Sequence, residues 1–162
     1  MRSRQLQLGR ERINRPAKRE TVDIQKSRVM LNLRQVKHDV MANGRIEGHH
    51  LDVLGRELYV GGKIDRLAVN LVVELRKRLE HHTPDLERFF YQAIKDYVQA
   101  SGRIDAEQAA WLRGVLATGN WIQDDDRRLL HELKGEAQAV ALEFDSLFAE
   151  AMKQPQDRHS SK

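Results

Sequence analysis

Apolar residues recur along this chain at spacings of three, four and seven positions, the period of helices that bury one face. The first stripe extends from Val22 to Val40 and predicts a helix over residues 21–42 that ends at Asn43-Gly44. Later stripes keep this spacing and predict further helices, for an all-α fold of about seven helices and no strand. Their residues are Leu51, Leu54 and Leu58; Leu67, Leu71 and Leu75; Leu86, Phe90, Ile94 and Val98; Leu112 and Leu116; Leu129 and Leu133; Val140, Phe144, Phe148 and Met152.

A duplicated segment organises the helical part of the chain. Gly44-Arg45-Ile46-Glu47 returns 58 positions later as Gly102-Arg103-Ile104-Asp105, and the same offset relates leucines on the helices that follow. Past the connector at residues 81–84 the apolar residues match best at an offset of 54, which predicts that the second copy lost four connector residues. We therefore expect two pseudo-repeated helix-turn-helix units, at about 44–100 and about 102–153.

The repeated motif carries signals for helix ends and helix starts. Glycine supplies the positive φ that ends one helix, and the isoleucine after it precedes an acidic cap, where it can pack onto the first turn of the next helix. Asp105 and Gln108 have the spacing of a capping box, and Thr83-Pro84 is typical of a helix start. The run 124–126, three aspartates, is predicted to begin a helix because its charge suits a helix N-terminus.

This alternation of Gly-(Arg/Lys)-Ile-(Asp/Glu) with short amphipathic helices resembles the tellurite-resistance TerB-like domain, over residues 42–152. The resemblance implies an all-helical fold of two related halves, acting as an interaction module in bacterial stress-response or defence systems. Some members of that family are linked to metals. Acidic residues are depleted here at the glycine turns, which read Asn43-Gly44, Gly61-Gly62, Ser101-Gly102 and Gly119-Asn120.

Positive charge is concentrated at the N-terminus. Residues 1–40 contain 11 Lys and Arg against 4 Asp and Glu, whereas residues 41–162 contain 17 against 20. We expect a flexible basic arm at 1–20, a single helical domain at 21–153 and a polar tail at 154–162. The candidate partner- or anion-binding residues are the cations of the arm: Arg2, Arg4, Arg10, Arg12, Arg15, Lys18 and Arg19.

Composition and motifs argue against catalysis. The chain has no cysteine, which excludes disulfides, thiolate metal sites and cysteine nucleophiles. It has neither a Gly-x-Ser-x-Gly elbow nor a phosphate-binding glycine loop, so we predict no catalytic residue, no cofactor and no enzyme activity. The pairs His49-His50 and His81-His82 lack the i, i+4 spacing of helical zinc sites. No metal site is predicted, and a role of these histidines in metal binding stays open.

Two functions fit these features. With no apolar run of about 20 residues and no signal peptide, we expect a cytoplasmic protein without a transmembrane segment. The preferred function is a helical adaptor whose basic arm orders along a protein partner. The alternative is sequence-nonspecific binding of nucleic acid, or of another anionic surface, by the arm. No helix presents a groove-facing side rich in Arg, Asn and Gln, which favours the adaptor. Self-association through the first helix is left open.

Overall fold

The computed structural model describes residues 14–117 and 122–154, with side chains from residue 23 onward. These residues form seven helices and four two-residue strands. The helices are α1 (Asn14–Asn43), α2 (Gly48–Leu58), α3 (Arg66–Arg78), α4 (Pro84–Val98), α5 (Ala106–Leu116), α6 (Asp124–Glu136) and α7 (Leu142–Lys153). The strands are β1 (Tyr59–Val60), β2 (Lys63–Ile64), β3 (Arg103–Ile104) and β4 (Ala139–Val140). The predicted all-α fold class is confirmed.

Helix α1 begins earlier than the sequence predicted. It starts at Asn14 rather than at residue 21, so its backbone includes the last part of the segment expected to be a flexible arm. Pro16 lies in the first turn, where a helix tolerates proline because the N–H groups there have no partner inside the helix. The end of α1 is as predicted: Gly44 has a φ of 67° and its N–H donates to the carbonyl of Val40 over 2.9 Å.

Contacts along the chain define two compact units, Met1–Glu57 and Leu58–Lys162. In the first unit the Asn32 side chain on α1 donates to the Glu57 carboxylate on α2 over 3.1 Å, which ties these two helices together. From residue 23 to residue 57, the buried residues of this unit are Val36, Val40, Ile46, His50 and Leu54. The single helical domain expected at 21–153 stays a prediction.

In the second unit, α3 packs against α4, α5 against α7, and α6 against both α4 and α7. The stripe predicted on α4 is confirmed, because Leu86, Phe90, Ile94 and Val98 are all buried. The stripe predicted on α3 is wrong in part, since Leu67 is 80% exposed. The residues that α3 buries are Val69, Val72, Val73 and Leu75. Helix α3 has apolar residues on two faces, and periodicity alone could not identify the face that packs.

Short strands accompany the glycine turns, so the expectation of no strand was wrong. Strands β1 and β2 pair antiparallel around Gly61 and Gly62, whose positive φ values of 60° and 77° suit a two-residue hairpin turn. Strands β3 and β4 pair in parallel, Arg103 with Ala139 and Ile104 with Val140. The short segments between these helices are extended. Pairing between the two-residue strands satisfies backbone N–H and C=O groups that no helix uses.

Helix starts recur with the repeated motif. Ile46, Ile64, Ile104 and Ile122 are each 5% exposed or less. Asp65 and Thr83 accept hydrogen bonds from the third residue of α3 and of α4 respectively. The capping box predicted at Asp105 is confirmed by bonds of 2.7 and 3.2 Å with Gln108, and α6 begins at Asp124 as predicted.

The second copy retains the length of the first, contrary to the expected loss of four connector residues. Helices begin at 48, 66 and 84 in the first copy and at 106, 124 and 142 in the second, so the offset stays at 58. At this offset Leu86, Phe90 and Ile94 on α4 correspond to Phe144, Phe148 and Met152 on α7, whereas Val140, the first residue of the predicted stripe, lies in β4 before the helix begins. Because apolar residues recur about every four positions on both helices, they can be aligned at an offset of 54 as well as 58, and only the helix starts decide between the two.

Replacement of Asp105 by alanine tests the cap at the start of α5. The substitution removes the acceptor for the Gln108 N–H, and we expect it to lower the free energy of unfolding by about 1 kcal/mol. Urea unfolding followed by circular dichroism measures this loss. Glu143→Ala, which removes an exposed first-turn carboxylate from α7, is the control and should change stability by only a few tenths of that value. Equal effects of both substitutions would contradict a specific cap.

Candidate interaction site

A polar cluster connects three helices of the second unit. Arg76 on α3 donates two hydrogen bonds, of 2.8 and 2.9 Å, to the carboxylate of Glu87 on α4. The Arg76 guanidinium also lies 4.2 Å from the centre of the Phe90 ring. Tyr91 on α4 donates its hydroxyl proton to Asp126 on α6 over 2.8 Å. The cluster therefore links α3 to α4 and α4 to α6 through charge-assisted hydrogen bonds.

Burial governs the ionisation of this cluster. Asp126 is 4% exposed, and its burial raises the pKa of the carboxyl; hydrogen bonds from Tyr91 and from the N–H of Gln123 offset part of that rise. Burial also raises the pKa of the Tyr91 hydroxyl, and the charge of Asp126 raises it further. Burial lowers the pKa of Arg76, but the hydrogen bonds to Glu87 and the electrostatic influence of Tyr91, Glu87 and Asp126 together outweigh it, and the pKa of Arg76 is raised. Tyr91 thus remains a donor and Arg76 a cation at neutral pH.

The polar groups of this cluster form hydrogen bonds with one another and with nearby backbone. Both oxygens of Asp126 accept hydrogen bonds, one from Tyr91 and one from the Gln123 N–H over 3.1 Å. Both nitrogens of the His82 ring also lie near acceptors, at 3.1 Å from Glu87 and 2.8 Å from the Arg76 carbonyl. Such an arrangement fixes the helices, and its polar atoms are engaged rather than directed at a substrate.

Sequence reasoning missed this cluster. The aspartates at 124–126 were predicted to begin a helix, and they do so. The basic residues at 76–78 lie in the last turn of α3, where their charge suits a helix C-terminus, and neither position points to the other. The sequence offered one signal for a further role. Phe89, Phe90 and Tyr91 are consecutive, so they cannot all face one core, and Tyr91 uses its hydroxyl to reach Asp126.

In the first histidine pair, His50 caps the start of α2. His50 is 4% exposed, and its Nδ1 accepts a hydrogen bond from the Glu47 N–H over 3.1 Å at the start of α2. Burial lowers the pKa of His50, and the neighbouring His49 ring lowers it further. The neutral ring keeps the acceptor that the Glu47 N–H needs. His50 therefore has the same capping role that Gln108 has on α5 and Asp126 has on α6.

An exposed apolar and basic surface lies on α1. Ile24, Met30 and Leu31 are 62%, 60% and 67% exposed, whereas Val36 and Val40 on the same helix are buried. The exposed positions alternate with exposed cations, among them Lys26, Arg28 and Arg34. Large apolar side chains in water that are flanked by one sign of charge are typical of a surface that binds a partner. We name residues 24–34 of α1 the basic-apolar surface.

The predicted binding residues lie mostly beyond what the structure shows. Arg2, Arg4, Arg10 and Arg12 are outside the described residues. Arg15, Lys18 and Arg19 lie on the backbone of α1, which continues into the basic-apolar surface, and their side chains are outside the described set. No side chain of these seven residues is among those that the structure describes. The structure does show that three of them belong to the helix that carries the exposed surface.

Within residues 14–117 and 122–154, no group of three or more His, Asp or Glu side chains has an arrangement that could hold a metal ion. No helix there has both the length and the apolar character that crossing a bilayer requires.

Comparison of the chain with known proteins gave no relative. No protein-family model, no curated protein and no solved structure matches it.

Substitutions at Asp126 test whether hydrogen bonding holds the polar cluster together. Asp126→Ala leaves the Tyr91 hydroxyl and the Gln123 N–H without their acceptor, and we expect the free energy of unfolding to fall by about 1–3 kcal/mol. Asp126→Asn should cost less, because the amide oxygen can accept from Gln123 and the amide nitrogen can donate to Tyr91. Urea unfolding measures both, and exposed Asp125→Ala is the control. Equal losses for Asn and Ala would mean that the charge, not the hydrogen bonds, matters.

Proposed function

We propose that this protein is a non-catalytic helical adaptor that docks onto a partner protein through its basic N-terminal segment and the adjoining surface of α1. The observation that carries the proposal is the basic-apolar surface, where Ile24 and Leu31 are both more than 60% exposed beside cations. A purely solubilising segment has no need of large apolar side chains. The TerB-like resemblance suggests a cytoplasmic bacterial stress-response or defence assembly as the setting.

The polar cluster supports a structural role for the rest of the chain. Arg76, Glu87, Tyr91 and Asp126 satisfy one another's hydrogen bonds. Separating Arg76 from Glu87 would leave a largely buried charge without its partner, which is costly. The cluster is therefore suited to holding α3, α4 and α6 in fixed positions, as an adaptor body requires.

The second candidate is sequence-nonspecific binding of nucleic acid by the N-terminal segment. The 11 cations against 4 anions of residues 1–40 favour it, since phosphate backbones attract such segments. The exposed apolar residues of α1 distinguish the two candidates. Phosphate contacts need cations, whereas a protein interface buries apolar side chains at its centre.

Removal of residues 1–13 tests the adaptor while leaving the start of α1 at Asn14 in place. We expect the full chain to retain a protein partner from its host after nuclease treatment, and the truncated chain to lose most of it. Binding of generic duplex DNA, measured by fluorescence anisotropy in about 150 mM salt, should be weak for both chains. DNA binding that falls steeply with salt and disappears on truncation would instead support the nucleic-acid candidate.

A further inference from the structure

Helix α1 has two apolar faces on opposite sides. At 3.6 residues per turn, Ile24 and Leu31 lie within about 20° of each other around the helix axis. Val36 and Val40 lie about 120–180° away from them. The face with Val36 and Val40 is buried in the first unit, whereas the face with Ile24 and Leu31 is exposed. A helix that is apolar on two sides is typical of one packed between two neighbours, and among the described side chains of α1 those of Ile24 and Leu31 remain exposed.

The part of α1 between residues 23 and 28 also has little packing to support it. Every side chain from residue 23 to residue 28 is exposed, and Val29 is only half-buried. Isolated helical segments of this length are marginally stable in water, because most helical stability in proteins comes from packing. A second helix laid against Ile24 and Leu31 would supply that packing.

The charges beside this face indicate what would cover it. Arg28 lies about 40° from Ile24, and Arg34 about 60° from Leu31, so cations border the apolar line. Asp23 is the one acidic residue between positions 23 and 34, which also contain Lys26, Arg28 and Arg34. A second copy of α1 would bring like charges together. A helix with acidic residues beside an apolar stripe would instead pair with these cations.

We infer that the basic-apolar surface of α1 is a docking site for an amphipathic helix whose apolar stripe is flanked by Asp or Glu. Ile24 and Leu31 pack against the stripe, and Arg28 and Arg34 pair with the flanking carboxylates. This inference rests on the proposed adaptor function and names the chemistry of the partner. It differs from nucleic-acid binding, which would use the cations and leave Ile24 and Leu31 in water.

A synthetic helix tests the inference directly. The probe is a fluorescent peptide of about three heptads, with Leu at positions a and d and Glu at e and g, where Glu also prevents self-pairing. The control peptide has Lys in place of every Glu. We expect the full chain to bind the Glu peptide at least about tenfold more tightly than the Lys peptide, with an affinity that falls as salt is added.

Two pairs of substitutions locate the binding. The double variant Ile24→Ser with Leu31→Ser should weaken binding of the Glu peptide by about tenfold or more, because it removes the apolar contact. Its matched control replaces Leu67 and Leu142, which are 80% and 81% exposed, by serine and should bind normally. All four positions are in solvent, so these variants should fold, and circular dichroism verifies this.

Charge reversal adds a rescue. Arg28→Glu with Arg34→Glu should weaken binding of the Glu peptide and strengthen binding of the Lys peptide, which loss of folding cannot produce. The matched control reverses Arg88 and Arg128, whose side chains are 79% and 80% exposed on α4 and α6. It should leave both affinities unchanged.

Several results would overturn the inference: equal affinity for both peptides, no binding of either, or an affinity insensitive to Ile24→Ser with Leu31→Ser. A dimer in sedimentation experiments that this variant abolishes would assign the surface to a second copy. Duplex DNA that binds through Arg28 and Arg34 without Ile24 and Leu31 would assign it to nucleic acid. If the peptide fails but the host partner is still lost on removal of residues 1–13, the adaptor stands and only the partner chemistry is wrong.

Discussion

The first turn of every helix contains backbone N–H groups with no acceptor inside the helix, and the layout of this chain depends on how they are satisfied. Asp65, Thr83 and Asp105 supply side-chain oxygens at the starts of α3, α4 and α5. His50 and Asp126, each at the third position of its helix, accept from the backbone N–H that precedes the helix. Because the buried isoleucine of the repeated motif lies next to the cap, one short motif fixes both where a helix begins and how it is held.

The sequence was informative about these local features because their causes are local. The capping box at Asp105, the start of α4 at Pro84 and the end of α1 before Gly44 each depend on neighbouring residues, and each was predicted. Which face of α3 packs depends on other helices, and Leu67 was therefore assigned wrongly to the core. The second copy was expected to be four residues shorter for a related reason, since apolar spacing does not distinguish registers four residues apart.

The candidate site was less accessible from sequence. The count of charged residues identified a basic N-terminus. Which residues can contact a partner depends on their exposure, however, and the exposure of Ile24 and Leu31 is visible only in the structure. The first helix is apolar over more than one stripe, which left self-association through it open, but periodicity could not show which of its apolar residues stay in water. The polar cluster was equally hidden, because Tyr91 and Asp126 are 35 positions apart and come together only when α4 packs against α6.

Caps fix the helix starts, a polar cluster links α3, α4 and α6, and α1 keeps an apolar, basic face in water. The central claim is that this face receives an acidic amphipathic helix. Hydrogen–deuterium exchange of the full chain, with and without the Glu-flanked peptide, tests it most directly. We expect fast exchange in residues 24–34 of the free chain relative to residues 36–43, and slower exchange in residues 24–34 when the peptide is present. Protection confined to α3–α7, or no change in α1, would contradict it.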